Sequence, residues 1–277
     1  MSGGPGAGDA AGEQGLLARH DVMRLRAGNP GPLSLSGTNT WIVGRDPAFV
    51  IDPGPALPVH VDALVELLER RGGLGGIALT HDHPDHCEAV DALRARMPAP
   101  LAAARADQLR RPGDVVLFDG GRFGPLTALA TPGHAPDHYA LLHGSVCFTG
   151  DAVLGEGSVF IAPDPGALAG YLAALQRLIE MPLELLCPGH GPPVSEPQHK
   201  LREYLQHRLD RERRLIAALA AGEREVQGML DAAWSDVPQQ VRPFAAITLA
   251  AHLDKLEQEG RLPDGVQRPS WDAPEAV

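Results

Sequence analysis

The sequence predicts a mixed α and β domain that is followed by a small helical domain. Short apolar segments of strand type alternate with amphipathic helices up to about residue 197, and residues 198–262 are predicted to form three helices with little strand. Gly (32 residues) and Pro (26 residues) are abundant, which is typical of many turns between short elements. A length of 277 residues suits one large domain with such an appendage.

The elements of the first domain follow from hydrophobic periodicity. Residues 61–70 carry apolar side chains at helical spacing, and residues 85–96 and 166–180 are predicted helices of the same kind. Strands are predicted at 40–43, 48–51, 77–79, 115–118, 126–130, 139–142, 146–149 and 184–186. Several of these strands run directly into a turn that carries His or Asp.

Composition narrows the classes of partner. The net charge of −11 makes the chain a poor non-specific binder of polyanions, because a phosphate backbone is held by Lys and Arg. No apolar run approaches the roughly 18 residues that a membrane span needs, so no membrane partner is expected. Three widely spaced cysteines and the lack of a signal-peptide pattern predict a cytoplasmic protein without disulfides.

A dense group of potential metal ligands follows the predicted strand at 77–79. The string His81-Asp82-His83-Pro84-Asp85-His86 places three imidazoles and two carboxylates within six residues. Clustered ionisable groups are costly to bury together unless a cation compensates them, and imidazole and carboxylate are natural metal ligands. The spacing of His81 and His83 lets both reach one ion, while Asp85 and His86 point toward a second position.

Three further segments end apolar strands with turn residues and one potential ligand each. They are Thr131-Pro132-Gly133-His134, Phe148-Thr149-Gly150-Asp151 and Pro188-Gly189-His190-Gly191. In each, Gly permits the backbone bend and leaves room for the ligand to approach an ion. Any one of these segments could be an ordinary turn, but their order after the histidine-rich string favours one shared metal centre.

These motifs resemble the metallo-β-lactamase superfamily, in particular the branch that holds glyoxalase II and the beta-lactamase-like protein 2 subfamily. The match extends to residues 37–44, 51–55, 151–158 and 207–214, and it covers about residues 20–262. It implies a four-layer αββα sandwich over residues 20–197 and a winged-helix-like domain over 198–265. Residues 1–19 are predicted to be a disordered N-terminal tail, and residues 266–277 a C-terminal tail.

The resemblance also implies a ligand set for two divalent ions. His81, His83 and His134 would hold the first ion; Asp85, His86 and His190 would hold the second; and Asp151 would bridge the two. Zinc is the preferred metal for this mixture of His and Asp, with manganese or iron as alternatives. A hydroxide shared by the two ions would then attack the substrate.

Two residues beyond the ligand set are candidates for a direct role. Asp85 could orient the nucleophile while it serves as a ligand, and His138 could donate a proton to a leaving group or orient a ligand. A structural role for His138 is an equal alternative. Asp82 lies between two ligands, and its carboxylate could hold one imidazole by the second ring nitrogen.

The substrate remains open at the level of sequence. A thioester or lactone hydrolase is favoured for a small-molecule substrate; an RNA phosphodiesterase, a β-lactamase, an iron oxygenase and a partner-binding protein are the alternatives. Duplex DNA is not expected as a partner, because Lys255 in the last helix is outnumbered by Asp254, Glu257 and Glu259. Leu249, Leu253 and Leu256 in that helix are expected to pack partly on the first domain and to wall the substrate cleft. A homodimer is left open.

Overall fold

The structure, a computed structural model, describes residues 7–270, with side chains from residue 12 onward. The chain divides into two compact units. The first takes in the chain up to Ala130 together with Asp137–Gly157 and Pro182–Pro197, and the second takes in Thr131–Pro136, Ser158–Met181 and the chain from Gln198 onward. The single boundary expected at residue 197 is therefore incomplete, since the second unit also includes two earlier segments.

The first unit contains two sheets. The first sheet has the order β1-β2-β3-β4-β5-β6, with antiparallel pairing up to β3 and parallel pairing beyond it. Its strands are β1 (Val22–Arg26), β2 (Asn39–Val43), β3 (Ala48–Ile51), β4 (Leu74–Ala78), β5 (Leu101–Ala103) and β6 (Val115–Val116). Parallel neighbours require crossovers, and helices fill the β3–β4 and β4–β5 connections. The helices of this unit are α1 (Ala7–Ala18), α2 (Pro58–Arg70), α3 (Pro84–Cys87) and α4 (Val90–Arg96).

The second sheet of this unit is mainly antiparallel. Its strands are β7 (Arg122–Phe123), β8 (Leu126–Ala130), β9 (Tyr139–His143), β10 (Val146–Gly150) and β11 (Leu185–Pro188). They are ordered β11-β10-β9-β8-β7, and only β10 and β11 run parallel to each other.

Two hydrophobic cores lie on opposite faces of the first sheet. Trp41 on β2 joins Phe148 and Leu141 of the second sheet in one fully buried core. Its neighbour Ile42 joins a second core with Leu64 of α2, because successive residues of a strand point to opposite faces. The apolar runs of the central strands are thus explained by burial on both sides.

The register of the strands brings the turn residues together. Ile51 of β3 pairs with Ala78 of β4, so Asp52 follows one strand end beside Thr80, which follows the other. Gly150 of β10 pairs with Pro188 of β11, and this pairing places Asp151 near the residues after β11. The carboxyl ends of two strand pairs therefore supply the side chains of the site.

The N-terminal segment is more ordered than the sequence suggested. Residues 7–18 form α1, and Leu17 is buried in the core between the sheets. Glu13 also forms an ion pair with Arg24 of β1 at 2.7 Å. The prediction of a disordered tail is wrong for these residues, because apolar side chains at the end of a Gly/Ala-rich stretch are enough to dock a helix. Residues 1–6 lie outside the described part of the chain.

The second unit is helical in its C-terminal part, as expected, and residues 198–270 contain no β-strand. Its helices are α5 (Ala167–Glu180), α6 (Pro197–Ala220), α7 (Val226–Ala233) and α8 (Arg242–Gln258). Leu249, Leu253 and Leu256 of α8 are buried against Leu215 and Trp234 of the same unit. The stripe expected to pack partly on the first domain is therefore covered by α6 and α7.

The beginning of the predicted C-terminal tail is attached to this unit. The Gln267 backbone N–H donates to the Arg224 carbonyl at 2.9 Å, and Arg268 forms ion pairs with Asp254 and Glu257 of α8. Residues 271–277 of that tail lie outside the described residues. Within residues 7–270, no helix combines the length and the apolar character that crossing a membrane requires.

Candidate metal centre

The histidine-rich string begins after the end of β4 and continues into α3. The Nε2 atom of His81 is 2.9 Å from the Nδ1 atom of His83. The other nitrogen of His81, Nδ1, is 2.9 Å from the Thr80 hydroxyl. That hydroxyl donates its only hydrogen to Asp52 at 2.7 Å, so it accepts a hydrogen from His81 Nδ1. His81 therefore carries its proton on Nδ1 and presents the Nε2 lone pair beside His83, as a metal ligand must.

A second group of ligand atoms converges from three different segments of the first unit. His190 Nε2 lies 3.4 Å from an oxygen of Asp85, 3.3 Å from an oxygen of Asp151 and 3.4 Å from His86 Nε2. His86 Nε2 lies 3.6 Å from Asp85 and 3.5 Å from Asp151. Ligands about 2.0–2.1 Å from a tetrahedral zinc ion are about 3.3–3.4 Å apart, so the spacing of Asp85, His86 and His190 suits one ion.

Asp52, which we did not include among the site residues, organises this region. Its carboxylate is 1% exposed and accepts the Thr80 backbone N–H at 2.8 Å and the Thr80 hydroxyl at 2.7 Å. It also contacts His86 Nδ1 at 2.8 Å. The hydrogen bond to Asp52 keeps the proton of His86 on Nδ1, so the Nε2 atom of His86 presents a lone pair to the second group.

Asp82 does not hold an imidazole, contrary to our expectation. Its carboxylate accepts one hydrogen bond from Gln108 and pairs with Arg105 at 3.1 Å. Asp52 performs the role that we assigned to Asp82. One signal in the sequence could have identified it: Asp52 follows a buried apolar strand and begins a Pro-Gly turn, as the ligand motifs do.

Gly189 explains why the ligand groups can approach so closely. A Cβ atom at this position would lie 2.4 Å from Asp151 Oδ1 and 2.6 Å from the His86 ring. Any larger side chain would displace one of the two ligands. The Pro-Gly-His turn thus requires glycine for steric reasons.

The electrostatics of the second group favour a bound cation. Burial alone would lower the pKa of His86, but the carboxylates of Asp151 and Asp52 outweigh it and raise that pKa to about 10. Burial would likewise lower the pKa of His190, but Asp151 outweighs it and raises that pKa. A buried site that raises imidazole pKa values in this manner stabilises positive charge, and a divalent ion supplies it without protonating the ligands.

His138 is buried and lies behind the ligands. Its Nε2 atom accepts the backbone N–H of Asp151 at 3.1 Å, and its ring centroid is 5.0 Å from that of His81. An Nε2 atom that accepts this hydrogen bond carries no proton to give. The geometry favours a role in holding the Asp151 backbone over the proton transfer that we considered.

His134, the remaining predicted ligand, belongs to the second compact unit. It lies on the loop after β8, and its imidazole packs on the Phe160 ring with a centroid distance of 5.0 Å. Its Nδ1 atom is 3.4 Å from the Phe160 carbonyl oxygen. His134 is therefore buried and oriented within its own unit, and its place in the ligand set is a proposal.

The three cysteines are free, as expected. Cys147 and Cys187 are buried, and Cys87 is half-buried beside Asp82. Burial raises the pKa of the Cys87 and Cys147 thiols to about 12, which makes them poor ligands and poor nucleophiles.

Comparison with known families agrees with the architecture. The family described as Metallo-beta-lactamase superfamily matches residues 33–118 and 97–190. The Beta-lactamase associated winged helix domain matches residues 229–265. The predicted fold class is thereby confirmed, including its winged-helix-like C-terminal part.

Individual relatives extend over most of the chain. A Beta-lactamase-like protein 2 homolog of Caenorhabditis elegans is 31% identical over 258 residues, which cover 86% of this chain and 85% of the relative. An atrochrysone carboxyl ACP thioesterase of Aspergillus chevalieri is 34% identical, and the match covers 89% of this chain and 85% of that relative. A solved structure of a protein in a di-iron-bound form is similar with a TM-score of 0.50 and 31% identity, over 64% of this chain and 96% of its own.

The matches agree in kind with the chemistry of the site. A superfamily whose members bind divalent metals is matched across the segments that supply the His and Asp groups described above. The chain belongs to the metallo-β-lactamase superfamily and is a hydrolase.

Proposed function

We propose that the protein is a dinuclear metal hydrolase that cleaves a thioester or a related ester-type bond. One observation carries the proposal: the Nε2 atoms of His86 and His190 lie 3.4 Å apart, and each is 3.3–3.6 Å from an oxygen of Asp85 and from an oxygen of Asp151. This spacing suits side chains that surround one ion. A cluster with a purely structural role would not require it. A hydrolase site of this kind needs no further protein nucleophile.

The two ions would share the seven predicted ligands. His81 and His83, with His134, are assigned to the first ion, and Asp85, His86 and His190 to the second. Ligand atoms of His81, His86 and Asp151 also lie within 4.8 Å of one another, which supports Asp151 as the bridge between the two positions. The di-iron form of one structural relative supports a two-metal site of this type. Zinc is our preferred metal, with iron and manganese as alternatives.

The chain's own residues prepare the site for hydrolysis. The bound metals would supply Lewis-acid activation of a carbonyl and a lowered pKa for water. Thr80 and Asp52 fix the ring orientations of His81 and His86, and His138 fixes the backbone of Asp151. The Asp85 side chain is 33% exposed, more than those of His86, Asp151 or His190, and this exposure allows its second oxygen to orient an attacking water.

The thioester preference comes from a relative. The relative named as a carboxyl ACP thioesterase covers 89% of this chain at 34% identity, so its reaction class is the first to test. A lactone presents the same kind of carbonyl. RNA is disfavoured by the net charge of −11, and β-lactam hydrolysis and a purely partner-binding role are kept as alternatives.

A substrate panel tests the proposal. Metal-loaded protein is offered an acyl thioester, a lactone, a cephalosporin, a phosphodiester and single-stranded RNA, and the metal content is measured by elemental analysis. We expect about two metal equivalents and the highest kcat/KM on the thioester. Hydrolysis of the phosphodiester or RNA alone would contradict the substrate class, and saturation at one equivalent would contradict the dinuclear site.

A further inference from the structure

Asp85 is held by a side chain that is not one of the predicted ligands. Thr38, immediately before β2, donates its hydroxyl hydrogen to Asp85 Oδ2 at 2.7 Å. That same oxygen lies 3.4 Å from His190 Nε2 and 3.6 Å from His86 Nε2. Thr38 therefore contacts the oxygen of Asp85 that faces the other ligands of the second group.

The direction of this hydrogen bond is fixed by a second residue, Asn29. The Asn29 amide oxygen accepts the Thr38 backbone N–H at 2.9 Å, and its Nδ2 donates to the Thr38 hydroxyl at 2.9 Å. Because a carboxylate only accepts and Nδ2 only donates, the Thr38 hydrogen points to Asp85. The hydrogen bonds run in one direction from Asn29 through Thr38 to Asp85. Successive hydrogen bonds in such a buried chain strengthen one another.

The backbone places Thr38 for this contact independently of its hydroxyl. Thr38 pairs with His190 in an isolated antiparallel bridge, and its carbonyl accepts the Ala27 N–H at 2.8 Å. Thr38 is fully buried, whereas the side chain of Asp85 is one-third exposed. An exposed carboxylate has rotamer freedom that a fixed donor removes.

We propose that Thr38, held by Asn29, is a positioning residue that fixes the Asp85 carboxylate and thereby sets the metal affinity of the second position. This inference rests on the proposed dinuclear site. It assigns the loop between β1 and β2 a part in metal retention, although that loop supplies no predicted ligand. If Thr38 acted in folding alone, its replacement would weaken both metal positions alike and would lower the stability of the protein.

The test is a metal titration of Thr38→Val, which replaces the hydroxyl by a methyl group of similar size. The full chain, stripped and refilled with zinc, is titrated against a chromophoric chelator, which yields a Kd for each equivalent. Substitution of residues that orient ligands typically weakens metal binding by about 10- to 100-fold. We expect a weakening in this range for the second equivalent, with the first within about threefold.

Matched variants separate positioning from folding. Thr40→Val removes another fully buried hydroxyl from the adjacent strand, where it contacts His60 at 2.9 Å and no predicted ligand, and it should leave both Kd values near those of the parent. Thr38→Ser keeps the donor and should restore the second Kd. If Thr38→Val does not fold, Asn29→Ala provides the test, since it leaves the Thr38 side chain unchanged. It should weaken binding of the second metal equivalent.

The outcomes distinguish the two proposals. A parent protein that binds two ions, with Thr38→Val and Asn29→Ala indistinguishable from Thr40→Val, would overturn the role of Thr38 alone. A parent that binds only one ion would overturn the dinuclear function and this inference with it. Equal weakening of both equivalents by Thr38→Val, unrescued by Ser, would show a structural role and would also overturn the inference.

Discussion

Among the described residues, the buried ionisable cluster around His86 in the first unit and the one around Glu212 in the second unit have their charges balanced in opposite ways. In the first unit, carboxylates face imidazoles: His86 lies 2.8 Å from Asp52, and His190 lies 3.4 Å from Asp85. In the second unit, Glu212 lies 2.9 Å from the ammonium group of Lys255. The second cluster contains its own cation, whereas the first presents ligands to one.

The histidines show the difference most directly. His86 and His252 are both fully buried, and burial disfavours the charged form of each. For His86, the carboxylates of Asp151 and Asp52 outweigh burial and raise the pKa to about 10. For His252, burial prevails over the nearby Glu212 and its pKa is lowered. Neighbouring charge, more than burial, thus separates an imidazole of the candidate metal site from a neutral core imidazole.

The largest effect should follow from a change in the first cluster. Asp151→Asn keeps the shape of the side chain but removes the charge that would bridge two ions. We expect kcat/KM to fall by at least about 10³-fold, or about 4 kcal/mol in the barrier, on every substrate that the parent hydrolyses. Elemental analysis should show fewer than two metal equivalents.

His207→Ala provides the comparison in the second unit. The pKa of His207 is lowered to about 4 by burial and by Arg208 and Arg211, so the side chain is neutral, and it accepts a hydrogen bond from Arg211 at 3.2 Å. The kcat/KM of His207→Ala should stay within about threefold of that of the parent. Similar losses from Asp151→Asn and His207→Ala would show that the site has been misassigned.

A smaller effect should distinguish the two aspartates beside the ligands. Asp52→Asn weakens the hold on His86 and Thr80, and residues in this position typically contribute about 10- to 100-fold to metal affinity or activity. Asp82→Asn alters only contacts with Arg105, Gln108 and Cys87, and should change zinc affinity by less than about threefold. Zinc titration of both variants measures the contrast, and equal losses would restore the role we first gave to Asp82.

Candidate ligands are easier to recognise in the sequence than the residues that support them, for a physical reason. A candidate ligand such as His81 or His190 lies in a short local pattern of strand, turn and His or Asp, which is visible without the fold. The role of Asp52 depends on the pairing of Ile51 with Ala78, a long-range register that places it beside Thr80. Alternation along the string suggested Asp82, but its side chain points to Arg105.

The helices show the same limit. The predicted helix at 85–96 is divided into α3 and α4, with Glu88 and Ala89 between them. Leu249 and Leu253 were correctly expected to be buried, but the sequence did not identify their partners, since an apolar stripe specifies burial and not the surface that covers it. Membership of Ser158–Met181 in the second unit depends on contacts of α5 with α8 across about 70 residues of chain, beyond any local pattern.

The smallest effect should come from the cluster that contains its own cation. The polar contact with His252, whose Nδ1 atom lies 3.7 Å away, and the hydrogen bond and charge of Lys255 lower the pKa of Glu212 from 4.5 to about 2 despite its burial. A lowered carboxyl pKa stabilises the fold above the unfolded-state value of 4.5, and this contribution is lost as the pH falls from 4.5 toward 2. With partial solvent screening, it amounts to about 1–2 kcal/mol at neutral pH.

Glu212→Gln should therefore destabilise the second unit at pH 7 and lose this effect in acid. Hydrogen exchange of the α8 amides, compared between variant and parent at the same pH, cancels the intrinsic exchange rates and reports local opening. The difference in opening free energy should be about 1–2 kcal/mol at pH 7, should fall to about half of that or less near pH 3, and should approach zero only below about pH 2. The second-unit cluster requires no added metal, so refilling the protein with zinc should leave this difference unchanged at pH 7. A difference that grows in acid, or that appears only when zinc is present, would contradict the contrast between the two clusters.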